Sequence, residues 1–172
     1  MKKIVLALCA VWSLQAADHD LYQHSLELVG GYSFNSDDMV LKDGWGWGMR
    51  YNYNFSPDSA LVPGALQFAF DYQFDQDYVG GGSSSLYRWG VNALWYADNP
   101  SAMTPFGLVG IGAQFFSDEG HGTNDGIFGA IGGGVEYQLR GDFSLVGEGK
   151  YLYGGDESGF LTSFGFKYSF GQ

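Results

Sequence analysis

Alternation is the feature that most limits what this chain can become. Eight segments of about ten residues carry large apolar or aromatic side chains at every second position, with small or polar ones between. A period of two belongs to the β-strand, whose successive side chains point to opposite faces. The clearest segment spans Gly44 to Phe55, where Trp45, Trp47, Met49, Tyr51, Tyr53 and Phe55 alternate with Gly46, Gly48, Arg50, Asn52 and Asn54. His24–Phe34 sets Leu26, Leu28, Tyr32 and Phe34 against Ser25, Glu27, Val29 and Ser33. The third segment sets Leu66, Phe68, Phe70, Tyr72 and Phe74 against Gln67, Ala69, Asp71, Gln73 and Asp75. The fourth sets Tyr87, Trp89, Val91, Ala93 and Trp95 against Arg88, Gly90, Asn92, Leu94 and Tyr96. Segments from Ile127 to Leu139, from Phe143 to Tyr153 and from Phe160 to Phe170 repeat the pattern. The fifth, Phe106–Phe116, is the weakest: Val109, Ile111, Ala113 and Phe115 form its apolar face, and Phe106 and Leu108 blur the opposite one.

Two architectures use such strands. A soluble sandwich turns the apolar face into a shared core; a membrane barrel turns it to lipid. Composition separates them. Charged residues make up 16% of the chain, against roughly 25% in soluble domains. The face opposite the aromatics is rich in Gly, Ser, Asn and Gln with isolated charges, which suits a narrow packed lumen. The apolar faces hold Trp45, Trp47, Tyr53, Phe55, Trp89, Trp95, Tyr151, Tyr153, Tyr168 and Phe170, a candidate aromatic belt for the two membrane interfaces. No run after residue 17 approaches the length of an apolar spanning helix. A closed barrel is the remaining way to satisfy a backbone in lipid. The expectation is an all-β, eight-stranded antiparallel up-and-down transmembrane β-barrel.

Residues 1–17 read as a signal peptide: Lys2 and Lys3, the apolar run Ile4–Trp12, and the small pair Ala16 and Ala17 as the cleavage point. Residues 18–172 are then the barrel. The single cysteine, Cys9, lies within the leader, and Leu8 before it argues against lipidation. The mature chain is expected to carry no disulfide.

The connectors fall into two sets. One is acidic and glycine-rich: 35–43, 76–85, 117–125 and 154–159. The other holds Pro57, Pro63 and Pro100 and the tight Arg140–Gly141–Asp142. An even strand number puts both termini on the periplasmic side and the acidic set outside. The net charge of −11 excludes nucleic acid as a partner, since phosphate binding needs basic residues.

The stretch Gly132–Tyr153, with Gly134, Glu136, Tyr137, Leu139, Ser144, Leu145, Glu148, Lys150 and Tyr151, resembles the small outer-membrane barrel family related to the OmpA transmembrane domain. Phe164–Phe170 resembles that family's terminal strand, with Gly171 and Gln172 following the last aromatic. The resemblance implies the cell outer membrane as location, with its lipid, its lipopolysaccharide and the barrel assembly machinery as partners. The peptidoglycan-binding domain of larger relatives is not expected.

Function is sought in the charges. Glu27, Asp71, Glu136 and Glu148 share the inward face with Arg50, Arg88, Lys150 and Lys167. Charges in a poorly hydrated lumen must be paired, so an interior salt-bridge network plugging the barrel is expected. A gate for small ions is the alternative. The outer acids Asp37, Asp38, Asp75, Asp77, Asp118, Glu119, Asp125, Asp156 and Glu157 match no twelve-residue calcium loop, so no metal or cofactor is expected. His121 lies near Ser117, Asp118 and Asp125 but between Gly120 and Gly122, without the rigid support a catalytic base requires. His19 and His24 lie on the periplasmic side. The chain reads as a non-enzymatic, monomeric envelope protein, with a narrow pore or an adhesin or receptor as the other readings.

Overall fold

The computed structural model describes residues 23–35, 43–55, 62–77, 83–97, 101–118, 126–154 and 158–171. The leader with Cys9, Ala16 and Ala17, His19, His121 and the acids Asp37, Asp38, Glu119, Asp125, Asp156 and Glu157 lie outside them. Eight strands follow one another: β1 (His24–Asn35), β2 (Gly44–Asn54), β3 (Ala65–Asp77), β4 (Ser83–Tyr96), β5 (Met103–Asp118), β6 (Gly126–Arg140), β7 (Phe143–Tyr153) and β8 (Gly159–Phe170). Each pairs antiparallel with its neighbours in sequence, and the sheet closes into a barrel. The closing seam runs from His24 opposite Phe170 to Asn35 opposite Gly159. An open edge in lipid would leave a row of unpaired N–H and C=O groups, and closure removes it.

The alternation sorts as the period of two requires. Val29, Gln67, Asn92 and Ser144 are buried, while Leu28, Phe68, Val91 and Leu145 are exposed on the outer wall. The strands outrun the segments read from alternation. β3 reaches Asp77, β4 begins at Ser83 and β5 extends to Asp118, all within stretches assigned above to connectors. Backbone pairing does not need apolar side chains, so the ladder continues past the apolar band. A register shift between Gln73 and Gln76 marks where β3 leaves it. At the other end Gly141 takes φ 58° in the tight turn between β6 and β7. Gln138 Nε2 donates to the Gly141 carbonyl there.

The fifth segment is explained by its inner face. Phe106 and Leu108 point into the barrel and pack with Leu94, Phe128, Val146 and Leu152. Glycines make the room. A Cβ on Gly134 would run into the Phe106 ring and the Gly147 carbonyl, and one on Gly112 into the Phe128 ring. Gly134→Ala should therefore overpack the lumen and lower stability by about 1–3 kcal/mol, with Phe106→Leu restoring part of the loss. Denaturant titration of the refolded protein in detergent checks this; an unchanged midpoint for the single variant would mean that the ring moves aside freely.

Candidate functional site

Among the described residues, the lumen is where charge is buried. All eight inward charged residues are buried, and they sit on β1–β4 and β6–β8. Arg50 is the most enclosed, with 1% of its surface exposed. Its Nη2 lies 2.6 Å from Asp71 Oδ1. Its Nη1 donates to the carbonyls of Phe70 at 2.9 Å and Met49 at 3.2 Å. Lys150 Nζ stands 3.3 Å from Asp71 Oδ2 and 3.3 Å from Glu148 Oε1. Arg50 Nη2 is 3.7 Å from that same Glu148 oxygen. Glu148 Oε1 takes no hydrogen bond from a protein group, so its two cationic neighbours hold it by charge alone. Lys150 and Asp71 belong to β7 and β3, four strands apart in a ring of eight. Their bond therefore crosses the full width of the lumen. An eight-stranded barrel is just wide enough for side chains to meet in this way.

A second group lies nearer the end where β1 begins. Lys167 Nζ on β8 lies 2.6 Å from Glu136 Oε2 on β6. It also stands 5.5 Å from the centre of the Tyr96 ring, at the end of β4. A cation over an aromatic face is attracted by the ring quadrupole. Glu27 is opposite Arg50 on one side and Lys167 on the other in register. Its carboxylate accepts from Asn52 Nδ2 at 2.5 Å, and the same amide donates to Ser25 Oγ at 3.0 Å. Arg88 is opposite Asp71 and Gln114 in register, and its Nε is a long 3.5 Å from Gln114 Oε1. Ion pairs gather around Asp71 and around Lys167, and Glu27, opposite both Arg50 and Lys167 in register, stands between the two.

Three parts of this site escape sequence reasoning. The apolar cluster on β3–β7 fills one side of the lumen, and only Phe106 and Leu108 at odd positions hinted at it. Tyr96 is on the inward face by alternation, but its ring facing Lys167 is set by the barrel's width. Amide pairs such as Asn92 Nδ2 to Gln67 Oε1 at 2.7 Å add neutral cross-links. A cavity of about 10 Å³ beside Asp71, lined by Val29, Gly31, Gly46, Gly48, Gln73 and Ser163, is room for one water. It is far too small for a substrate.

On the outer wall Trp45 and Trp47 lie toward the acidic-connector end of β2, as do Tyr151 and Tyr153 on β7. Tyr53, Phe55, Trp95, Tyr168 and Phe170 gather at the opposite end. Trp89 differs: it sits in the middle of β4, its ring centre 4.5 Å from that of Phe70. His24 Nδ1 is 2.7 Å from the Tyr51 hydroxyl. Its ring is packed among Tyr51, Tyr53 and Phe170.

A closed wall with apolar outside, charged inside and eight strands is the geometry of an outer-membrane barrel, and the model of the outer membrane protein beta-barrel domain matches residues 4–170. The chain belongs to this family. It is a protein of the cell outer membrane. No curated protein matches it in sequence. Among solved structures it is similar to Neisserial surface protein A (NspA), at 17% identity over 86% of this chain and 97% of that one, TM-score 0.63. It is similar to Ail, the attachment invasion locus protein of Yersinia pestis, at 18% identity over 87% and 100%, TM-score 0.61. The outer membrane enzyme PagL is a further neighbour, at 13% identity over 85% and 99%, TM-score 0.54. At these identities the likeness shows the shared fold.

Proposed function

We propose that this protein is a non-enzymatic, monomeric member of the outer-membrane barrel family whose lumen is plugged, and that it serves the envelope as a rigid wall element. The observation that carries the reading is the Lys150–Asp71 bond across the lumen, reinforced by Arg50 and Glu148. Breaking such a network exposes uncompensated buried charge, so the barrel resists opening. The aromatic belt seats the wall in lipid and lipopolysaccharide. The terminal strand Phe164–Phe170 is the segment offered to the barrel assembly machinery, after removal of the leader at Ala16 or Ala17. The test is conductance in planar lipid bilayers. The purified protein should insert and pass no steady current in molar salt; regular open-channel steps would replace this reading with the narrow pore.

A surface-contact role is the second reading, supported by the charge of the outer connectors. Ail has been solved with the heparin analogue sucrose octasulfate. Here segments 35–43, 76–85, 117–125 and 154–159 carry Asp37, Asp38, Asp43, Asp77, Asp118, Glu119, Asp125, Asp156 and Glu157, with Asp75 just before the second, and Lys42 as their one lysine or arginine. Like charges repel a sulfated ligand, so a contact partner would be cationic. Calorimetric titration with sucrose octasulfate should give no binding heat at physiological salt, and a saturable heat would overturn this assignment of charge.

A further inference from the structure

Seven of the eight strand interfaces join strands that follow one another in sequence, so a connector limits how far one can slide past the other. The seam between β1 and β8 joins the first strand to the last and has no such connector. Its register must come from side chains. Alternation excludes a slip of one residue, which would turn the inward charges of one strand to lipid. It does not exclude a slip of two, which keeps every residue on its own face.

Two sets of contacts discriminate against that slip. Inside, Glu27 is opposite Lys167 of β8 and Arg50 of β2, so one row reads cation, anion, cation. Sliding β8 by two residues would place Gly165 or Ser169 opposite Glu27, and Ser25 or Val29 opposite Lys167. Opposite charges facing across strands stabilise a pair, and either slipped seam loses one. Outside, at the end where β1 begins, the His24 ring stacks on that of Phe170, with centres 5.6 Å apart. His24 Nδ1 lies 2.7 Å from the Tyr51 hydroxyl, which holds the ring in place from β2. Gly171 then takes φ 82°, and its carbonyl accepts from the Gln23 N–H at 3.3 Å. That backbone conformation favours glycine, and a Cβ there would press on the His24 ring. In either slipped seam His24 would no longer face Phe170.

We infer that Glu27 and His24 are the register-setting residues of the closing seam, one from inside the barrel and one from outside. The consequence reaches the lumen. Strand number and the register of closure together fix a barrel's tilt and width. A two-residue slip at the seam would alter that width, and the 3.3 Å approach of Lys150 to Asp71 across the lumen depends on it. The inference stands on the seam alone and holds whether or not the lumen conducts.

Disulfide trapping reads the register directly. With Cys9→Ser as background, Leu28→Cys is combined with Phe166→Cys, its native partner, or with Phe164→Cys or Tyr168→Cys, its partners in the two slipped seams. All four positions are exposed on the outer wall. The protein is refolded into lipid vesicles, and a heat-dependent gel shift confirms closure. Residues directly opposite lie within disulfide reach, and those two further along lie beyond it. With Glu27 and His24 intact, oxidation should cross-link the native pair at least about tenfold more than either slipped pair.

Glu27→Gln with His24→Ala leaves Lys167 paired with Glu136 and Arg50 with Asp71. In that variant the slipped pairs should approach the native yield. Either substitution alone should raise the slipped share severalfold, so the single variants decide the matter if the double variant does not close. Cross-linking that stays with the native pair in every variant would overturn the inference and assign the register to the other seam contacts, such as Val29 against Gly165. A slipped pair favoured while Glu27 and His24 are intact would overturn the native register itself.

Discussion

Replacing Arg50 with alanine is expected to lower the unfolding free energy by about 3–5 kcal/mol, the range for removing one partner of a buried ion pair. Arg50 is 1% exposed and lies within ion-pair distance of both Asp71 and Glu148. It also serves the Phe70 and Met49 carbonyls. Its loss leaves Lys150 as the nearest remaining cation for two carboxylates, and most of the penalty is the excess negative charge held out of water. A compensating variant separates this cause from lost packing. Arg50→Met with Asp71→Asn keeps volume, restores neutrality and leaves the Lys150–Glu148 pair in place, so most of the loss should return. The readout is tryptophan fluorescence against denaturant in detergent, with heat-dependent gel mobility confirming a closed barrel. If the double variant is as unstable as the single one, the network contributes through shape rather than charge.

Arginine in place of Ile111 should cost about 2–4 kcal/mol, the penalty for a cation on the lipid face near the bilayer midplane. Ile111 sits in the middle of β5, pairs with Val91 and Gly129, and is 62% exposed on the outer wall. In a water-soluble protein so exposed a position would accept arginine with almost no change. The sign of the experiment is therefore set by the solvent around the barrel rather than by any contact within it. Refolding into lipid vesicles and measuring the denaturant midpoint gives the answer. Arginine placed at Phe143, 53% exposed at the end of β7, should cost about 0–1 kcal/mol because it reaches the interface. Equal costs at the two sites would mean that the apolar band is not where the barrel geometry puts it.

The sequence by itself determined the architecture. A period of two assigns each residue to one wall face before any partner is known, because the pleat alternates whatever the strand pairs with. Glu27, Asp71 and Lys167 could be set on the inner face for that reason, as could Trp45, Ile111 and Phe166 on the outer one. Eight such segments with no apolar helix left closure as the way to satisfy the backbone in lipid. Only the tertiary structure decided which charge meets which. Lys150 and Asp71 are 79 residues apart, and their contact exists because the ring puts β7 across from β3 at a width two side chains can span. The same closure sets the Tyr96 ring against Lys167, and it turns Phe106 and Leu108, which weaken the fifth pattern, into the apolar side of the plug. Alternation reports direction along one strand. Partnership across a lumen depends on strand count and register together, which no single segment carries.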